Sequence, residues 1–199
     1  MDMVALSSDP NRMPISENNG DQARSDEKLG EILLHIAQKS ANDPKFGAVK
    51  LNKLVFFSDC VSFIREGKTI TGSKFMRLGQ GPVPRRLVPV RDKLVAEKRA
   101  AVQKKPLVSG LEQHRLVALD SPRLDSLFKP GEITLVDSII EEFSNHTADE
   151  ISDLSHTMPA WNIAEDKEEI PIESAFILSL VPSSQDEALA LELAETHGL

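Results

Sequence analysis

Apolar residues recur at helical spacing in several stretches of the chain, separated by turn-forming clusters. Leu29, Ile32, Leu33 and Ile36 lie three and four apart, the spacing of one helix face. Ser25 can cap that helix, with Asp26 and Glu27 in its first turn, and Asn42-Asp43-Pro44 ends it. Between Val49 and Glu66 the pattern changes. Leu51, Leu54, Val55, Phe56, Phe57, Cys60, Val61, Phe63 and Ile64 put apolar side chains on most sides. Such a helix is largely buried, so this segment is expected to be the centre of the core, stopped by Gly67. Six such side chains, fully buried, contribute on the order of 10 kcal/mol before conformational entropy is subtracted. The helical period returns at Ile133, Val136, Ile140 and Phe143. Thr147-Ala148-Asp149-Glu150 is a capping-box pattern that opens a further helix, with Ile151 and Leu154 on its inner face. Thr157-Met158-Pro159 marks another start directly after it.

The remaining segments are extended or turn-like. Ser73 to Leu78 reads as a short extended stretch, and Gln80-Gly81-Pro82-Val83-Pro84 as a stiff turn that no helix accommodates. Pro89 starts or kinks the next helix, placed from Pro89 to Arg99. Ala100 to Lys105 and Gln113 to Leu119 read as the strands of a hairpin, with its bend near Ser109-Gly110. The sum is an α+β fold: a helix-dominated compact domain with a central buried helix and a small antiparallel β-sheet. Residues 1–24 lack apolar periodicity and are expected to be a disordered N-terminal tail. Pro182-Ser183-Ser184 reads as a linker, and 183–199 as an acidic C-terminal tail in which Glu187 to Glu195 can form a short helix.

Composition narrows the function classes. With 40% hydrophobic and 27% charged residues in 199, the chain is neither collagen-like, nor a coiled coil, nor wholly disordered. No apolar run approaches the ~20 residues of a membrane span. No basic segment followed by an apolar run opens the chain, so we read it as cytoplasmic. One cysteine, Cys60, excludes an internal disulfide and a Cys-rich zinc site, and its hydrophobic setting makes it a buried, inert thiol. None of the five histidines stands in a metal-ligand pattern, so neither a metal nor a cofactor is expected. Asp153 and His156 are close enough on one helix to touch, but the nucleophile-elbow and phosphate-loop patterns are missing, and Pro82 lacks the N–H that cradles a phosphate. No catalytic set emerges, and the chain is read as a non-enzyme.

Charge adds a direction. The net charge of −8 argues against nucleic acid, yet it is unevenly spread. From Arg65 to Lys105 there are 12 Lys or Arg against 3 Asp or Glu; from Glu165 to Leu199 there is 1 against 9. Either the acidic end folds back on the basic part or is solvated, or the basic part faces an acidic partner. Met76, Arg77, Pro82, Arg85 and Arg86 sit on and around the proline-stiffened turn. A rigid turn carrying arginines loses little entropy on binding, which makes these five the candidate partner-binding residues.

Three stretches together resemble the Panacea domain, the SocA-like and phage GepA-like antitoxin domain. Lys50-Leu51-Asn52-Lys53-Leu54-Val55-Phe56-Phe57-Ser58-Asp59 is similar to its K-L-x-K-L-x-Y-F-A-D helix. Ile70-Thr71-Gly72, followed by Gly81-Pro82-Val83-Pro84, is similar to its I-T-G segment and K-Y-G-P-V-P turn, with Gly79-Gln80 in place of Lys-Tyr. Leu154-Ser155-His156-Thr157-Met158-Pro159-Ala160-Trp161 is similar to its L-S-H-x-x-P-A-W. The resemblance spans roughly 28–165, within a domain read as 25–182, and marks Lys50, Leu51, Leu54, Phe57, Asp59, Gly81, Leu154, His156, Pro159 and Trp161 as its motif residues. It implies a packing corner from Leu154 to Trp161, with Trp161 seated beneath Pro159 and His156 bonded to backbone. It also implies an antitoxin of a prokaryotic or phage toxin–antitoxin system that binds and blocks a cognate protein toxin, the product of the adjacent gene. The alternatives are an adaptor that hands a bound toxin to a cellular protease, and a DNA-binding regulator using the segment from Arg65 to Lys105.

Overall fold

The computed structural model describes residues 15–106 and 112–179. Two long helices form its axis: α1, Ile15–Lys39, and α2, Ala48–Glu66. A two-residue turn at 79–80 joins β1, Phe75–Leu78, to β2, Gly81–Pro84, and α3, Leu87–Ala96, follows. Strands β3, Ala100–Pro106, and β4, Glu112–Ala118, pair antiparallel. Helices α4, Pro130–Glu142, α5, Ala148–His156, and α6, Pro159–Ile163, come next, then β5, Glu169–Ile170, and a 3₁₀ helix, Ile172–Ser179. The first sheet has the order β2-β1-β5 and is antiparallel throughout. This is the expected helix-dominated α+β domain with a small antiparallel sheet.

As expected, α2 lies at the centre, packed by α1, α4, α5 and β2. Leu54, Val55 and Phe56 are fully buried. Phe56 meets Phe75 of β1 edge-on at 5.0 Å, and Phe57 stacks on Phe143 at 5.2 Å. Its two ends surface: Ala48 and Ile64 are exposed, and Gly67 closes the helix in the left-handed region, φ 67°, its N–H bonded to the Phe63 carbonyl.

The helix before it begins at Ile15, ten residues ahead of the expected start at Ser25. Ser25 does not cap. Its hydroxyl donates to the Thr71 carbonyl, while Gln22 bonds Asp26 one turn along the same helix. Residues 1–14 and the expected tail from 183 lie outside the described residues, as do Pro182 and the bend at Ser109-Gly110. At its other end α1 is closed by Arg115 of β4, which donates to the carbonyls of Ser40, Ala41 and Asp43.

The stiff turn proves to be a strand. Register pairs Met76 with Val83 and Leu78 with Gly81, and the Arg85 N–H bonds the Lys74 carbonyl. Gly81, Val83 and Arg85 therefore face β1, and Pro82 and Pro84 occupy the positions whose N–H groups would point away from the sheet. Proline is tolerated on an edge strand for that reason. Helix α3 starts at Leu87 rather than Pro89, because a proline in the first turn of a helix gives up no helical hydrogen bond. The capping box is as expected: Thr147 Oγ1 accepts from Glu150 N at 3.2 Å, and Glu150 accepts from Thr147 N at 2.7 Å. Part of the acidic end does fold onto the basic part. Strand β5 pairs with β1, and Glu169 meets Lys74 at 3.1 Å.

Candidate functional site

Two lysines and an aspartate are buried on α2, and each is treated differently. Lys50 donates to the Asp43 carboxylate at 2.7 Å and to the carbonyls of His146 and Ser144. It ties the α1–α2 loop to the α4–α5 loop, and its charge is paired. Asp59 has no exposure at all. It accepts the N–H groups of Ile70 and Thr71 at 2.8 and 2.9 Å, and the Thr71 hydroxyl. Burial pushes its carboxyl up to about 6, although the Thr71 and Ile70 bonds and the Lys28 charge oppose the rise. The Lys28 ammonium binds the Ile70 carbonyl from α1 at 2.7 Å, so α1 and α2 clamp the Ile70-Thr71-Gly72 segment between them.

Lys53 lacks such company. It is 1% exposed, and among the described residues its ammonium has one polar partner, the Pro82 carbonyl, at a long 3.3 Å. Among the described residues it makes no ion pair. Burial alone pushes it down to about 8. Its end lies against Gly81, where an added Cβ would fall 2.6 Å from Lys53 Cε and 2.5 Å from Ser155 Oγ. With φ at 100°, that position admits glycine alone at low cost.

A groove of about 400 Å³ opens between the start of α2, the β1–β2 hairpin and the start of α3. Met76, Leu78 and Val83 of the hairpin and Leu87 and Val88 of α3 line it, with Arg85 alongside. Lys53 and Asn52 come from α2. Asn52 also borders an adjoining cavity of about 40 Å³, and its buried Oδ1 has no hydrogen-bond partner among the described residues.

At the far end of the hairpin stands the corner from α5 to α6. His156 stacks on Trp161 with ring centroids 3.8 Å apart, and the Arg77 guanidinium lies 4.3 Å from the centre of the same indole. Arg77 also donates to the Ala164 carbonyl at 2.6 Å. Among the described residues the His156 ring does not bond backbone as expected: its Nε2 is buried without a partner there, and it is the His156 carbonyl that accepts, from Asn162. Burial and the nearby Lys53 charge hold its pKa down. Leu154 is 45% exposed, not inward, because the short helix turns Ile151, Ser152 and Ser155 to the core instead. Trp161 does pack on the core, partly buried. The side chain of Pro159 lies outside the description. Cys60 is buried and free, and burial raises its thiol pKa, as expected of an inert thiol. Among the described residues no group of His, Cys, Asp or Glu could hold a metal ion.

The five residues expected to bind a partner do not all line one groove. Met76 and Arg85 line the groove. Arg77 is engaged at the tryptophan corner, Pro82 is buried with its carbonyl on Lys53, and Arg86 forms a two-pronged ion pair with Asp26 of α1. Sequence reasoning missed Asn52, Lys53, Leu78, Val83, Leu87 and Val88. A signal for Lys53 was present: it stands mid-helix between Leu51 and Leu54, on a helix apolar on most sides, where few positions reach water.

The architecture thus defines a helix-dominated α+β domain whose central helix carries buried charge beneath a proline-edged hairpin. The chain belongs to the antitoxin SocA-like, Panacea domain family, whose model matches residues 51–162, more than half of the sequence. The match runs from α2 to α6 and takes in the groove. Neither the search of curated proteins nor that of solved structures found a match. The three motif stretches meet in space: Asp59 holds Ile70 and Thr71, Lys53 reaches Pro82, and Ser155 backs Gly81. No helix of the described residues is long and apolar enough to cross a membrane.

Proposed function

We propose that this protein is the antitoxin of a prokaryotic or phage toxin–antitoxin pair, acting in the cytoplasm by binding a cognate protein toxin directly, with no chemistry of its own. The observation that carries the reading is membership of the SocA-like antitoxin family across the segment that builds the groove. The groove supports it. It is walled mostly by apolar side chains, Met76 and Val88 among them, that gain from being covered, and it borders Arg85. The toxin is taken to be the product of the adjacent gene. The test is growth and co-purification. That product, expressed alone, should arrest growth; co-expression of this chain should restore growth and yield a stable complex of the two. A harmless neighbour, or rescue without a complex, refutes direct neutralisation. Toxin half-life measured in the same cells separates blocking, which leaves it unchanged, from delivery to a protease, which shortens it.

A further inference from the structure

We propose that the groove between α2 and the β1–β2 hairpin receives an acidic side chain of the partner protein, whose carboxylate completes the coordination of Lys53. The proposal rests on the antitoxin reading above and adds to it the chemistry of the contact. Its basis is the contrast among the buried cations of one molecule. Lys50 has a carboxylate and two carbonyls. Arg99, also buried, has the Glu31 carboxylate in a two-pronged bond at 2.6 and 3.0 Å, and Asp120 besides. Lys53 is as buried as Lys50 and has, among the described residues, a single distant carbonyl. A buried charge without a counter-charge is costly to a fold. This one lines a groove open to an incoming chain.

The surroundings fit an acidic group carried between apolar ones. Arg85 lies on the same groove, and the carboxylates of Asp26 and Glu169 are already taken by Arg86 and Lys74. Met76, Val83 and Leu87 supply the apolar walls, and the unpartnered Asn52 Oδ1 can accept an N–H. A carboxylate brought to Lys53 replaces a missing partner rather than displacing one, so its attraction is offset by its own desolvation and not by a lost internal ion pair.

The experiment measures two quantities on Lys53→Met: thermal midpoint and affinity for the adjacent gene's product. Methionine keeps the stem and removes the charge. The expected result is a higher midpoint than wild type together with affinity about tenfold to a hundredfold weaker. Arg85→Glu, on an exposed residue that cannot disturb the core, should weaken the complex with no change in midpoint. Lys50→Met is the control, with a lowered midpoint because its removal strands Asp43. If Lys53→Met binds as wild type does, the proposal fails while the antitoxin reading stands. If it lowers midpoint and affinity together, Lys53 is a packing residue and the proposal fails as well. If deletion of residues 180–199 lowers the midpoint of the wild type but not of Lys53→Met, the groove holds the chain's own acidic end, which overturns it. If the wild-type chain makes no complex, the antitoxin reading fails and takes this proposal with it.

Discussion

Asp59 offers the sharpest test of how the domain is held together. Its carboxyl is fully buried, bridges to three groups of Ile70 and Thr71, and has its pKa pushed up to about 6 against an unfolded value of 3.8. A gap of about two units corresponds to about 3 kcal/mol. The sign follows from proton binding. Between pH 4 and 6 the folded chain keeps a proton that the unfolded chain has lost, so stability falls as pH rises through this window. Above it the ionised group costs the fold that amount. The groups facing it are Thr71, the neighbouring Cys60 thiol and, from α1, the Lys28 ammonium. Asp59→Asn carries no charge at any pH, and its side-chain oxygen still accepts the Ile70 and Thr71 N–H groups. Urea unfolding of both proteins from pH 4 to 7.5 isolates the titration, since other carboxylates cancel in the difference. Wild type should gain about 3 kcal/mol on Asp59→Asn as pH falls across the window. A difference that stays flat refutes the reasoning. Asp59→Ala strands two buried N–H groups; it should lose about 3 kcal/mol or more at pH 4, and less above pH 6, where wild type itself bears the cost of the ionised carboxyl.

Three further outcomes follow from the same contacts. Glu31→Gln leaves the buried Arg99 guanidinium short of its main counter-charge and should lower stability by about 3 kcal/mol, a fall of about 10 °C in thermal midpoint; a shift under 2 °C would contradict the buried pair. Gly81→Ala forces a Cβ into Lys53 and Ser155 at a positive φ, so about 2 kcal/mol or more should be lost in urea; an unchanged midpoint would mean the hairpin is free to move. Cys60 should react with a thiol reagent only as fast as the chain unfolds, and labelling within seconds under native conditions would show that it is not buried.

What the sequence revealed depended on how local the cause was. The capping box at Thr147, the Gly67 stop and the buried character of α2 are written within a few residues of where they act. The early start of α1 is not, because Ser25 finds its partner 46 residues away in Thr71 and so is unavailable as a cap. The same distance effect blurred the site. Lys50 and Lys53 stand one turn apart in near-identical surroundings, and only the fold, by bringing His146 to one and Pro82 to the other, decides which is paired. Arg77, Arg85 and Arg86 looked alike in sequence for the same reason. Alternation along the hairpin and the position of α1 sent them to three different environments.

The prolines of β2 limit the language in which that hairpin can be addressed. An ordinary edge strand offers a ladder of main-chain donors and acceptors, which another extended chain can read whatever its side chains are. Pro82 and Pro84 remove the donors, and the Pro82 carbonyl already faces Lys53. A visitor therefore finds no backbone template to copy. It is judged by volume, by apolar match and by the placing of charge. Such a surface sets no requirement on the visitor's own secondary structure: a helix, a loop or a strand that presents the same few side chains satisfies it equally.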